Sequence, residues 1–88
     1  MKPYAALLAE LLSKELFALR SRNMLTQEAM AERLRISSRA YSDLERGRSS
    51  ASAATLMFLL PMLDVEEQQA LLRQFLERVQ NLEGDDAA

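Results

Sequence analysis

The chain has 88 residues, 49% of them apolar and 27% charged, with two Gly, two Pro, five Met and neither Cys nor His. That length allows one domain, or one small domain plus an extra element, and buries only about 60% of the unfolded surface, so support from a partner is expected. Without Cys and His there is no disulfide, no thiolate or imidazole metal site, and no cysteine or histidine catalysis.

The formal charge of −2 hides an asymmetry. Residues 14–48 carry eight Lys/Arg against five acids, residues 49–63 carry no charge, and residues 64–88 carry two Arg against seven acids. A basic middle and an acidic end point to a polyanion-binding module joined to something else.

β-Branched residues are scarce and no apolar/polar alternation appears, so the fold class expected is all-α, with five helices. The first runs from Pro3, a favourable first-turn residue, to about Arg22. The second starts at Thr26, whose hydroxyl can cap, with Gln27 and Glu28 suited to a helix start, and ends near Leu34. A third follows a Ser37 cap and ends at Gly47, placed as a left-handed C-terminal residue. The fourth follows Ser52 and runs through Leu56 to Leu60, where Pro61, lacking an amide hydrogen, kinks or ends it. Asp64 then caps a fifth helix, Glu67 completing a capping box, and this helix reaches about Leu82 before Gly84. Residues 84–88 are expected as a disordered tail. The apolar stretch from Tyr4 to Leu12 is interrupted by Glu10, no small-residue cleavage site follows, and nothing approaches a membrane span; a cytoplasmic protein without membrane contact is expected.

The informative segment is Leu25 to Arg48, LTQEAMAERLRISSRAYSDLERGR. Two short helices are joined by Arg35, Ile36 and Ser37. Leu25, Met30, Leu34, Ile36, Tyr41 and Leu44 can fill a shared core, and the small Ala31 lets steeply crossing helices approach. The outer face of the third helix is left to Ser38, Arg39, Ser42, Asp43 and Arg46, none of them apolar.

At these residues the chain resembles the phage repressor/Cro-type (XRE) helix-turn-helix family. The shared pattern is Leu25-Thr26-Gln27-Glu28, Ala31, Leu34, Ile36-Ser37, and Ser42 with Leu44-Glu45-x-Gly47-Arg48. Leu16, Leu19 and Arg20 upstream and Thr55-Leu56 downstream fall in the same register, so the likeness covers about residues 14–63. It implies a repressor-like domain with lengthened N-terminal and C-terminal helices: residues 1–63 form the DNA-binding domain and 64–83 a helix that dimerises or covers the core. It also implies binding of double-stranded operator DNA as a homodimer.

The DNA-facing set implied is Gln27, Ser37, Ser38, Arg39, Ser42, Asp43, Arg46 and Arg48. Gln27 would bond a backbone phosphate, helped by helix-terminal amides. Ser38, Arg39, Ser42 and Asp43 would lie nearest the bases, Arg39 being the leading candidate for specificity because its fork matches the two acceptors of guanine. Arg46 and Arg48 would hold flanking phosphates. An ion pair between Arg20 and Glu45, buried between the first and third helices, is implied as structural. Two residues depart from the pattern. Arg35 stands where the family usually has Gly, and needs a left-handed backbone at roughly 1 kcal/mol. Asp43 puts a carboxylate toward the groove, which phosphates repel unless it accepts from a cytosine amino group or pairs with Arg39 four residues earlier.

Tyr4, Tyr41, Phe17, Phe58 and Phe75 are expected in the core rather than as stacking platforms, the methionines as core filler, and Arg33 and Arg35 on a solvated face. At the chain ends, Tyr4, Leu7, Leu8, Leu11 and Leu12 form one wide apolar face. Val65, Leu72 and Val79 with Gln68, Phe75 and Leu82 form a heptad seam that Leu76 broadens. Both exceed the minimal domain. They either pack on each other as a hairpin or form a two-fold dimer interface, and the dimer is the reading preferred, because a small domain and a palindromic operator both call for it.

The function expected is a sequence-specific transcriptional regulator, a repressor by occupancy. The alternative is a protein-interaction module on the same fold, such as the antitoxin of a toxin–antitoxin pair, whose acidic end grips a basic protein partner. No catalytic, metal or cofactor-binding residue is expected, since no serine has a base and an oxyanion-stabilising turn at workable spacing.

Overall fold

The computed structural model describes residues 2–87, which form five α-helices and one 3₁₀ helix: α1 (Pro3–Arg22), α2 (Gln27–Leu34), α3 (Ser38–Glu45), α4 (Ala53–Leu59), the 3₁₀ helix Leu60–Met62 and α5 (Val65–Ala87). The helix starts follow from local capping chemistry. Thr26, Ser37 and Ser52 each have extended backbone and accept through the side-chain oxygen from the amide three residues on, at 3.0, 3.0 and 3.2 Å. Asp64 and Glu67 bond reciprocally, Glu67 N to Asp64 Oδ1 at 2.8 Å and Asp64 N to Glu67 Oε1 at 3.1 Å, which satisfies two amides that the first turn otherwise leaves open. Pro61 sits inside the 3₁₀ helix, so α4 stops at Leu59.

The core is built of leucines. Leu12, Leu16 and Leu19 of α1 meet Met30, Ala31 and Leu34 of α2, Tyr41 and Leu44 of α3, Leu59 of α4 and Leu71 of α5. α3 packs on both α1 and α2. Its return from Glu45 needs a left-handed residue, and Gly47 supplies it at φ 73°, a conformation a side chain would strain. A Cβ there would make only ordinary contact with Ser13, so the backbone angle is what calls for Gly.

The terminal helices pair antiparallel within the one chain. Tyr4 Oη donates to Glu83 Oε2 at 2.6 Å, Arg78 reaches Glu10 at 3.5 Å, and Arg22 pairs with Glu67, so contacts run in opposite directions along the two helices. Leu71 is buried and Phe75 packs against the core beside Leu8, but this pairing uses one face of α5 only. Leu72 and Leu76 remain 60% and 50% exposed on the other.

Three expectations need correction. α5 continues through Gly84 to Ala87 instead of stopping near Leu82; Gly84 has no left-handed backbone, and nothing around it forces the chain to turn. Of the expected tail 84–88, Ala88 lies outside the described residues. Tyr4, Phe17 and Phe58 are exposed aromatics, because the leucine-rich faces already fill the core. Met24 and Met57 are exposed too, Met24 at 91% in a left-handed turn (φ 55°), leaving Met30 as the fully buried methionine among the described residues. Arg35 is exposed, as expected of a solvated face, and also makes a contact with α4. Its guanidinium lies 4.4 Å from the Phe58 ring centroid, tying the turn to α4. Such a contact is worth roughly 0.5–1 kcal/mol, comparable with the cost of its left-handed backbone.

Candidate nucleic-acid interface

α2 and α3 are joined by Arg35, Ile36 and Ser37, with Arg35 at φ 59° and ψ 40°. That single left-handed residue turns the chain so that α3 crosses α2 with Tyr41 and Leu44 inward. At about 100° per residue, Arg39, Ser42, Asp43 and Arg46 then share the opposite, outward face, and Ser38 stands at its edge. Arg39, Ser38, Arg46 and Arg48 are exposed; Ser42 and Asp43 are half-exposed. Among the described residues these six side chains take part in no hydrogen bond or ion pair, so Arg39 and Asp43, one turn apart, do not pair. A face of unpaired donors and acceptors on a rigid helix can present them to an outside partner without first breaking internal bonds.

The remaining two candidates have partners. The Ser37 oxygen accepts from Ala40 N in the cap, which leaves its hydroxyl hydrogen for another group. Gln27, half-exposed in the first turn of α2, donates from Nε2 to Glu45 Oε1 at 3.4 Å. It is the second ligand of a carboxylate already held by Arg20. Arg20 Nε and Nη2 reach the two oxygens of Glu45 at 2.8 and 2.7 Å, and Nη1 reaches Leu25 O at 3.2 Å. The side chain of Glu45 is only 8% exposed and that of Arg20 22%. The Arg20 hydrogen bonds, opposed by burial, hold the Glu45 carboxyl below the usual carboxylate range. Ser13 Oγ also donates to Glu45 O, so α1 grips the last residue of α3 by main chain and side chain alike.

Sequence reasoning reached the Arg20–Glu45 pair but missed its continuation to Gln27 and Ser13. The Gln27 link could have been found, since a polar residue at the first turn of α2 lies beside the end of α3. The Ser13 link carries no sequence signal.

Tyr41 stands against this network with its hydroxyl buried and unbonded. Burial, reinforced by the Glu45 carboxylate, pushes the phenol above its ordinary value. An unsatisfied buried hydroxyl costs about 1–3 kcal/mol, so Tyr41→Phe is expected to raise stability by about 1 kcal/mol in urea unfolding at neutral pH. The raised phenol also gives a sign at high pH. The folded state keeps the proton that the unfolded chain loses near pH 10, so stability falls as pH rises beyond that value, and this component of the fall should be absent in Tyr41→Phe.

A helix-turn-helix family model matches residues 16–68, taking in all of α2, α3 and α4 with the second part of α1. The chain belongs to the repressor/Cro-type (XRE) helix-turn-helix family. No curated protein and no solved structure gives a significant match. As a member of this family the protein carries a DNA-binding regulatory domain, and the outward face of α3 is its candidate reading surface. Among the described residues no helix is long and apolar enough to cross a membrane.

Proposed function

We propose that the protein is a sequence-specific transcriptional repressor that occupies an inverted-repeat operator as a homodimer. The observation that carries this reading is the outer face of α3, where Arg39, Ser42, Asp43 and Arg46 stand free of internal partners while Tyr41 and Leu44 point into the core. Arg39 reads guanine through its two acceptors, Ser38 and Ser42 contact neighbouring base edges, and Gln27, Ser37, Arg46 and Arg48 hold phosphates on either side. Repression follows from occupancy of a promoter. α5 is the dimer helix: Leu11, Leu12, Leu16 and Leu19 of α1 are spent on the core, whereas Val65, Leu72 and Leu76 face outward from α5. Arg73 and Glu77 flank Leu72 and Leu76 on that surface, a neutral rim that suits a second copy better than a strongly charged partner.

Selection of bound sequences from a random DNA pool tests the reading, with Arg39→Ala in parallel. The wild type should yield an inverted repeat with half-sites about 10 base pairs apart, with affinity falling steeply as salt rises. Arg39→Ala should lose discrimination at one position in each half-site by about 1–3 kcal/mol. Absence of any motif at low salt would overturn it. The surviving reading would then be a protein-interaction module such as an antitoxin, which one observation favours. A groove of about 460 Å³ between α1, α4 and α5, lined by Leu8, Leu56, Leu60, Leu71, Leu72 and Phe75, could take an apolar segment of a partner.

A further inference from the structure

We propose that Asp43 is a base-reading residue that selects cytosine, so that each half-site combines a guanine read by Arg39 with a cytosine read by Asp43. This rests on the DNA-binding reading above and specifies what that face recognises.

A carboxylate aimed at DNA is ordinarily a liability, and an internal salt bridge would be the simplest way to neutralise it. Asp43 has no such bridge. Arg39 lies one turn before it and Arg46 just under one turn after it, both on the outward face, and neither comes within ion-pair distance. The carboxylate therefore remains an open acceptor. The two flanking arginines leave the patch net positive, which offsets repulsion from phosphates without consuming either oxygen.

An ionised carboxylate can only accept hydrogen bonds. The major groove offers two kinds of donor, the amino groups of cytosine and adenine. Adenine presents its amino group beside the N7 lone pair, which would face the second carboxylate oxygen and repel it. Cytosine has no acceptor of its own on that edge, so the choice falls on cytosine. Four residues of helix rise about 6 Å, which sets the Asp43 contact roughly two base-pair steps from the Arg39 contact.

The test compares selected sequences for the wild type, Asp43→Ala, Asp43→Asn and Arg39→Ala, using the full chain and the same random duplex pool. The side chain is half-exposed and unbonded, so both Asp43 variants should fold, which a thermal melt checks. The wild type should enrich cytosine about two positions from the guanine that Arg39→Ala loses. Asp43→Ala should relax that cytosine by about 5-fold or more and leave the guanine intact. Asp43→Asn, which presents a donor and an acceptor together, should move the preference there from cytosine to adenine. If both Asp43 variants keep the wild-type motif and bind every sequence more tightly, the carboxylate is merely tolerated and the proposal is overturned, while the DNA-binding reading stands. If the wild type selects no motif, both fall.

Discussion

Leu16→Ala is expected to lower the unfolding free energy by about 3 kcal/mol, measured as a shift of the urea midpoint at unchanged slope. Leu16 is 1% exposed on α1 and belongs to the cluster that joins α1 to α2 and α3. Truncation removes a methine and two methyl groups and leaves a cavity among side chains fixed on separate helices, which cannot all close on it. For a domain whose whole stability is on the order of 5–10 kcal/mol, this is a large fraction. Leu72→Ala is the control. With 60% of its surface already in water, it should cost under about 0.5 kcal/mol in the monomer. At a protein concentration low enough to keep the chain monomeric, similar losses for both variants would mean that α5 is buried differently from the arrangement described.

The second large effect lies at the Arg20–Glu45 pair. Glu45→Gln is expected to cost about 3 kcal/mol, because it leaves a partly buried guanidinium facing a neutral amide and weakens the hold on the end of α3. Since the pair holds the Glu45 carboxyl below its ordinary value, the stabilisation is fully present above the unfolded carboxylate range, near pH 4–5. It is lost as pH falls through the lower, folded value. The wild type should thus lose stability more steeply than Glu45→Gln on acidification, and the two curves should converge at the acid end. The Arg20 guanidinium, its proton held more firmly still, stays charged throughout and adds no slope there. Parallel curves for the two proteins would show that Glu45 is not the carboxylate responsible.

The parts of this fold legible in the sequence are those governed by chemistry within four residues. Thr26, Ser37, Ser52 and the Asp64–Glu67 box mark helix starts because a cap needs only its own first turn, and all four are realised. The left-handed Arg35 and the Arg20–Glu45 pair were accessible through family register. What the sequence hid depends on which of several apolar faces wins a limited core. Phe17 and Phe58 look as buriable as Phe75, but the leucines of α1 and Leu59 occupy the space first. The heptad seam of α5 likewise concealed a division of labour. Leu71, which that pattern leaves out, faces inward, whereas Leu72 and Leu76 face outward. On the outer face of α3, the outward positions followed from helical period alone. The absence of an Arg39–Asp43 pair, and the capture of Gln27 by Glu45, are matters of side-chain reach that spacing cannot decide.

The double grip on Glu45 has a consequence for the spacing of DNA sites. Ser13 and Arg20 stand seven residues apart on α1, about 10 Å, and clamp the end of α3 by its carbonyl and its carboxylate. α5 packs on α1, so α1 and the body of α5 together separate α3 from the outward leucines. No flexible tether lies between them. In a dimer closed through those leucines, one extra base pair between half-sites demands a rotation of about 34° together with a translation of 3.4 Å. A clamped helix cannot follow that motion as a tethered one does, so in such a dimer rotational phase would be part of what is recognised.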